Sequence, residues 1–210
     1  ILYFSVANAQ EVKWMSIGDL HNWYSAAGSE IEVGRTGQVS DQQDGLRYPA
    51  FYRVQDNQAA KGLWLGASNF YDPVVNKNYD KKVVHAGPRH LDIENETMPV
   101  KLTMDGKYDH PNVFVDGDPA TNLQYLDYVD NVNPSLESDR KINNIVQTSL
   151  GVQMKRTIYA FAHPDHQNYH IQEYVFTNNG CFDKDCNTSY EQTLEGFQVY
   201  LQYRLSLIHI

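Results

Sequence analysis

The chain has 210 residues, 41% of them hydrophobic and 20% charged, with 17 Lys and Arg against 26 Asp and Glu. A net charge of −9 excludes nucleic acid and anionic membrane as default partners, because a phosphate surface calls for a basic face. No stretch approaches ~18 consecutive apolar residues, so no membrane span is expected. The length suits one domain with a substantial core, and 15 Tyr, 8 Phe and 3 Trp are more aromatic surface than a long disordered chain carries.

The chain opens on Ile1-Leu2-Tyr3-Phe4, followed by the small-x-small triplet Ala7-Asn8-Ala9 and then by polar sequence from Gln10. That order predicts the remnant of an export signal over residues 1–9, cut at its start, and hence an extracellular or cell-surface location. A first β-strand is the alternative for the same apolar run. Short strands are predicted at residues 47–54, 62–67, 82–85, 99–104 and 143–149. Polar connectors such as Asp72-Pro73 and Asn76-Lys77-Asn78 lie between them. Residues 105–139, rich in Asp, Asn, Pro and Gly, read as a long irregular loop with a turn of helix near 123–129.

The strongest signals come next. Over residues 151–162, Val152, Met154, Ile158 and Ala160 alternate with Gln153, Lys155, Thr157, Tyr159 and Phe161, the period of a half-buried strand. Residues 169–177 form a second strand, ended by the turn signal Asn178-Asn179-Gly180. Residues 194–204 form a third, with Phe197, Val199, Leu201 and Tyr203 on one face. Strands of about 12 residues span roughly 40 Å, which suits a broad sandwich. Their turn-length connections predict antiparallel pairing of all three. The fold class is therefore all-β: an antiparallel β-sandwich with long strands, spanning residues 10–204 as one domain and truncated at its C-terminus.

Cys181 and Cys186 enclose four residues of polar turn. In an exported protein so close a pair reads as a local disulfide, worth about 2 kcal/mol in the chain-entropy picture. A two-Cys metal site would need further ligands that the neighbouring sequence does not supply.

Several stretches together resemble an uncharacterised family of large secreted bacterial proteins common in marine metagenomes. The resemblance is carried by Gly18-Asp19-Leu20-His21-Asn22-Trp23-Tyr24-Ser25, Gln42-Gln43-Asp44-Gly45-Leu46-Arg47-Tyr48-Pro49-Ala50, Ala59-Ala60-Lys61-Gly62-Leu63-Trp64-Leu65-Gly66-Ala67, Val83-Val84-His85-Ala86-Gly87-Pro88-Arg89 and residues 169–180. It implies an N-terminal β-sandwich region followed by further modules, sometimes with a C-terminal sorting tail. It carries over no functional residue. Residues 205–210, Leu205-Ser206-Leu207-Ile208-His209-Ile210, resemble a translated sequencing adapter, as expected of a metagenomic fragment.

Candidate chemistry is sparse. Asp116, Asp118, Asp127 and Asp130 form the densest carboxylate group, a calcium set if their loop gathers six to eight oxygens, and otherwise a solvated acidic loop. Asp183, Asp185, Asn187 and Ser189 imitate the start of an EF-hand, but Thr188 and Leu194 occupy its glycine and glutamate positions. His163, His166 and His170 share a metal-like spacing. Pro164 argues against a helix, and on a strand residues four apart lie ~13 Å from each other. A loop gathering His163, Asp165 and His166 would make a metal-dependent hydrolase. A glycosidase pair could come from Glu94, Glu96, Glu137, Glu173 and Glu191, though nothing fixes a separation. Gly66-Ala67-Ser68 lacks the closing glycine of a nucleophile elbow. Trp14, Trp23 and Trp64 are expected in the core, with sugar stacking as the other use of such rings.

These readings predict a non-catalytic extracellular or cell-surface module of a larger secreted protein, structural, adhesive or ligand-presenting. Its expected partners are downstream domains of the same polypeptide, and polysaccharide or cell-surface components. The alternative is a carbohydrate-binding or glycoside-hydrolase-associated module, stabilised by calcium.

Overall fold

The computed structural model describes residues 11–30, 46–51, 57–86, 96–110, 114–119 and 127–205. The expected signal remnant (1–9), residues 206–210 of the adapter-like tail and most of the expected helical turn (123–126) lie outside them. The fold is all-β and almost wholly antiparallel. Among the described residues no helix is long and apolar enough to cross a membrane.

Three sheets build the body. β1 (Val12–Met15), β2 (His21–Ser25) and β3 (Leu46–Arg47) form the first, in the order β1-β2-β3. β4 (Gln58–Asp72) and β5 (Lys77–Ala86) make a long hairpin that belongs to the second. β6 (Thr97–Gly106) opens the third. β7 (Phe114–Val115) and β8 (Asp118–Pro119) form a small separate hairpin, and β9 (Asn131–Val132) lies parallel to the end of β6. β10 (Arg140–Thr148), β11 (Val152–Ala160) and β12 (Ile171–Asn178) complete the five-stranded sheet, in the order β12-β11-β10-β6-β9. β13 (Glu195–Leu205) joins the hairpin, giving β13-β4-β5.

The alternation on β11 sets the layers. Val152, Met154, Ile158 and Ala160 are all buried, as their period-2 spacing predicts. Gly151, at φ +70°, closes the β10–β11 turn, and a side chain there would meet the Phe182 ring at 3.0 Å. The inward face of β10 and β11 is covered twice. At one end Ile142, Ile158 and Ala160 pack against Met15, Ile17, Tyr24 and Ala26 of the first sheet. At the other, Val146, Val152 and Met154 pack against Leu63, Leu65, Phe70 and Val84 of the β4–β5 hairpin. The sandwich therefore has the five-stranded sheet as one layer and two smaller sheets, side by side, as the other. Each fully buried Leu, Ile, Val or Met in these contacts is worth about 1.5–3 kcal/mol of transfer free energy.

The seam between the two smaller sheets is polar. Arg156, fully buried, sits on the same face as Met154 and Ile158. Its Nη2 donates to the Ser25 carbonyl and to Asn144 Oδ1, both at 3.0 Å, and its guanidinium lies 5.5 Å from the Tyr24 ring centroid. Asn144 Nδ2 in turn donates to the Ala26 carbonyl at 2.9 Å. The backbone carbonyls of the first sheet's 25–29 turn thus find donors that an apolar stripe could not offer.

Three expectations change. Of the strand expected over 47–54, residues 52–54 lie outside the described residues, and up to residue 51 the strand is only Leu46–Arg47, because the chain turns at once through Pro49, whose ring carries no N–H for a ladder. The segment 105–139 is not wholly irregular, since it holds β7, β8 and β9. Finally, β13 does not pair with β12. The 16 residues between them include the Cys181–Cys186 disulfide and Phe182, which inserts into the core against Phe70 and redirects the chain into the opposite layer.

Candidate functional site

The outer face of β13-β4-β5 concentrates exposed aromatic surface. On β4 the run Gly62-Leu63-Trp64-Leu65-Gly66-Ala67 alternates so that Leu63, Leu65 and Ala67 are buried, which turns Gly62, Trp64 and Gly66 outward. Trp64 is 45% exposed. Directly opposite it stand Tyr200 on β13, 55% exposed, and His85 on β5. The ring centroids of Tyr200 and His85 lie 6.1 and 6.0 Å from that of Trp64, tilted by 69° and 58°. The indole floor and two angled rings make a shallow aromatic trough that runs across the three strands.

The glycines create it. A Cβ at Gly62 would lie 3.4 Å from the Trp64 Nε1, so the indole reaches back over a residue with no side chain of its own. A Cβ at Gly66 would touch Val83, which leans over that position in the same way. Gln198 and Gln202, opposite Gly66 and Gly62, place exposed amides beside Tyr200. His85 is held from behind: Glu96 accepts from its backbone N–H at 3.0 Å and lies 2.8 Å from Nδ1. With Nδ1 turned to the carboxylate, Nε2 of a neutral ring is left as an acceptor.

Other candidates fall elsewhere. Asp116 and Asp118 flank Gly117 in the exposed β7–β8 turn, where Asp116 and Gly117 have φ of +53° and +90°. Asp127 is buried and meets His110 Nε2 at 2.6 Å. Asp130 accepts from the Met104 N–H at 2.6 Å and from Lys13 at 2.8 Å. Two of the four aspartates are thus engaged with protein donors, and among the described residues no group of three or more His, Cys, Asp or Glu is placed to hold a metal. His163 and His166 have ring centroids 5.7 Å apart, but His170 turns away to the Tyr24 hydroxyl, 2.7 Å from its Nδ1. Burial, and after it the charge of Glu30, raise the Tyr24 pKa well above its ordinary range.

Of the paired-carboxylate candidates, Glu94 lies outside the described residues. Glu96 serves His85 on one outer face, while Glu173 is exposed on β12, on the outer face of the other layer. Glu137 precedes β10 and Glu191 precedes β13. The disulfide forms as expected, and inside its loop the Asp183 carboxylate accepts from the N–H groups of Asn187, Thr188 and Asp185, which lowers its pKa. A recess at the seam, lined by Glu30, Arg156, Tyr174 and Tyr203 among others, has room for about one water molecule and is too small for an organic ligand.

The expectation that all three Trp lie in the core therefore holds for Trp14 and Trp23, each 4% exposed, and fails for Trp64. The signal was present: Trp64 alternates with Leu63 and Leu65, so burying those two turns it to solvent. No family model matches the chain, and no curated protein or solved structure matches it either. Fold and surface together define an all-β sandwich with an aromatic trough open on one outer face.

Proposed function

We propose that this chain is a non-catalytic extracellular module of a larger secreted protein, and that it binds carbohydrate through the outer face of β13-β4-β5. The observation that carries the reading is the exposure of Trp64 between Tyr200 and His85. An indole open to water on a rigid sheet offers a sugar ring an apolar surface without ordering cost, and neighbouring amides offer hydrogen bonds to its hydroxyls. The Cys181–Cys186 bridge supports an oxidising compartment. A glycan array probed with the purified chain and with Trp64→Ala tests the proposal. Retention of at least one glycan that Trp64→Ala abolishes is expected, and retention indifferent to Trp64 would refute the site.

A further inference from the structure

Resting on that reading, we infer the ligand class: a neutral glycan whose pyranose rings carry equatorial hydroxyls. Such a ring presents axial C–H bonds on its two flat faces and its hydroxyls around its rim. The trough matches this division. The Trp64 indole supplies the apolar floor, Tyr200 and His85 flank it at about 6 Å, and Gln198 and Gln202 stand along the β13 side where equatorial hydroxyls would point.

Charge selects against a polyanion. Around Trp64 the outward positions Gly62 and Gly66 on β4, Val83 and His85 on β5, and Gln198, Tyr200 and Gln202 on β13 include no Lys or Arg; the next outward residue on β5 is the exposed Lys81, opposite Ser68 and four residues along the strand from His85. Uronate or sulfate recognition draws on such groups, above all on the forked guanidinium. The charged group beside the trough is instead the Glu96 carboxylate, paired with His85. The chain as a whole carries −9, which adds long-range repulsion for an anionic polymer. A neutral glycan meets neither penalty, and its affinity should not depend on salt.

The test is affinity electrophoresis of the intact chain through gels containing barley β-glucan, soluble xylan, alginate or polygalacturonate. The variants are Trp64→Ala, Trp64→Phe and Tyr200→Ala, each checked for an unchanged thermal midpoint. Retardation is expected in β-glucan or xylan at low and high salt alike. It should weaken roughly tenfold in Trp64→Ala and Tyr200→Ala, as the loss of one aromatic contact implies, and recover in part in Trp64→Phe. Trp64-dependent retardation confined to alginate or polygalacturonate would overturn the ligand class and leave the binding role standing. No retardation in any gel, or retardation that Trp64→Ala leaves untouched, would overturn both.

Discussion

Arg156 and Asn144 stand opposite one another on β11 and β10, and the Arg156 guanidinium donates to the Asn144 side-chain oxygen at 3.0 Å. Both are fully buried where the three sheets meet, so this pair, with the Ser25 carbonyl on its other side, fixes how the first sheet docks beside the β4–β5 hairpin. Arg156→Met keeps length and apolar bulk but removes every donor. It leaves the Asn144 oxygen without its donor in a dry interior and the Ser25 carbonyl with the Gly28 N–H alone, which costs about 1–3 kcal/mol. For a chain of this size each kcal/mol moves the thermal midpoint by roughly 2–4 °C. Urea and thermal unfolding check the value. A midpoint equal to or above that of the parent would mean that the seam is held by shape alone.

Asp72 links stability to pH. It ends β4, accepts from the N–H groups of Val74 and Val75 across the hairpin turn, and pairs with Lys82. Burial by itself would raise its pKa; the Lys82 bond and the two backbone bonds outweigh it and leave the carboxyl lowered. Because the folded pKa lies below the unfolded value of about 3.9, the stabilisation is complete above that value and fades as pH falls through the folded one. Asp72→Asn should therefore cost about 1–2 kcal/mol at neutral pH, and the gap to the parent should close in strong acid. Urea midpoints measured stepwise down the pH scale decide this, and a gap that widens in acid would contradict the assignment.

The Cys181–Cys186 bridge closes a loop of separation five and pins the turn from which Phe182 enters the core. Replacing both cysteines by serine should lower stability by about 2 kcal/mol and leave the sheets intact. The loss belongs to one local turn, so far-ultraviolet circular dichroism should be unchanged while the thermal midpoint falls. Loss of β-sheet signal at room temperature would show that the bridge orders the crossing into the opposite layer rather than trimming its entropy.

Much of the fold was readable where local pattern and burial agree. On β11 the alternation of Val152, Met154, Ile158 and Ala160 marks a strand, and all four are buried, though Arg156 and Thr157 are buried with them. The reading faltered where tertiary contacts decide. Arg156 sits among apolar residues of its own strand; one acceptor, Asn144, is on the neighbouring strand 12 positions back, and the other two, the Ser25 and Ser29 carbonyls, are more than 100 positions away. The route of β13 into the other layer was hidden for the same reason: Leu63 and Leu65, which face Leu201 and Val199, are remote in sequence. The trough was half legible. Trp64 between two glycines fixes which way the indole points, but Tyr200 and His85 join it only through strand register.

The three tryptophans give a direct optical test of that last point. Trp14 and Trp23 are 4% exposed with centroids 4.8 Å apart, and Arg47 stacks on Trp14 at 5.2 Å; Trp64 is 45% exposed. Acrylamide should therefore quench one emitting component readily and leave the rest shielded. In Trp64→Phe the accessible component should vanish and the emission should shift to shorter wavelength, with stability changed by no more than about 0.5 kcal/mol, as for a surface substitution. Trp23→Ala, by contrast, empties a buried site beneath the first sheet and should cost about 3–5 kcal/mol. If Trp64→Phe left the quenchable fraction in place, the exposed indole would be Trp14 or Trp23 and the trough would have no floor.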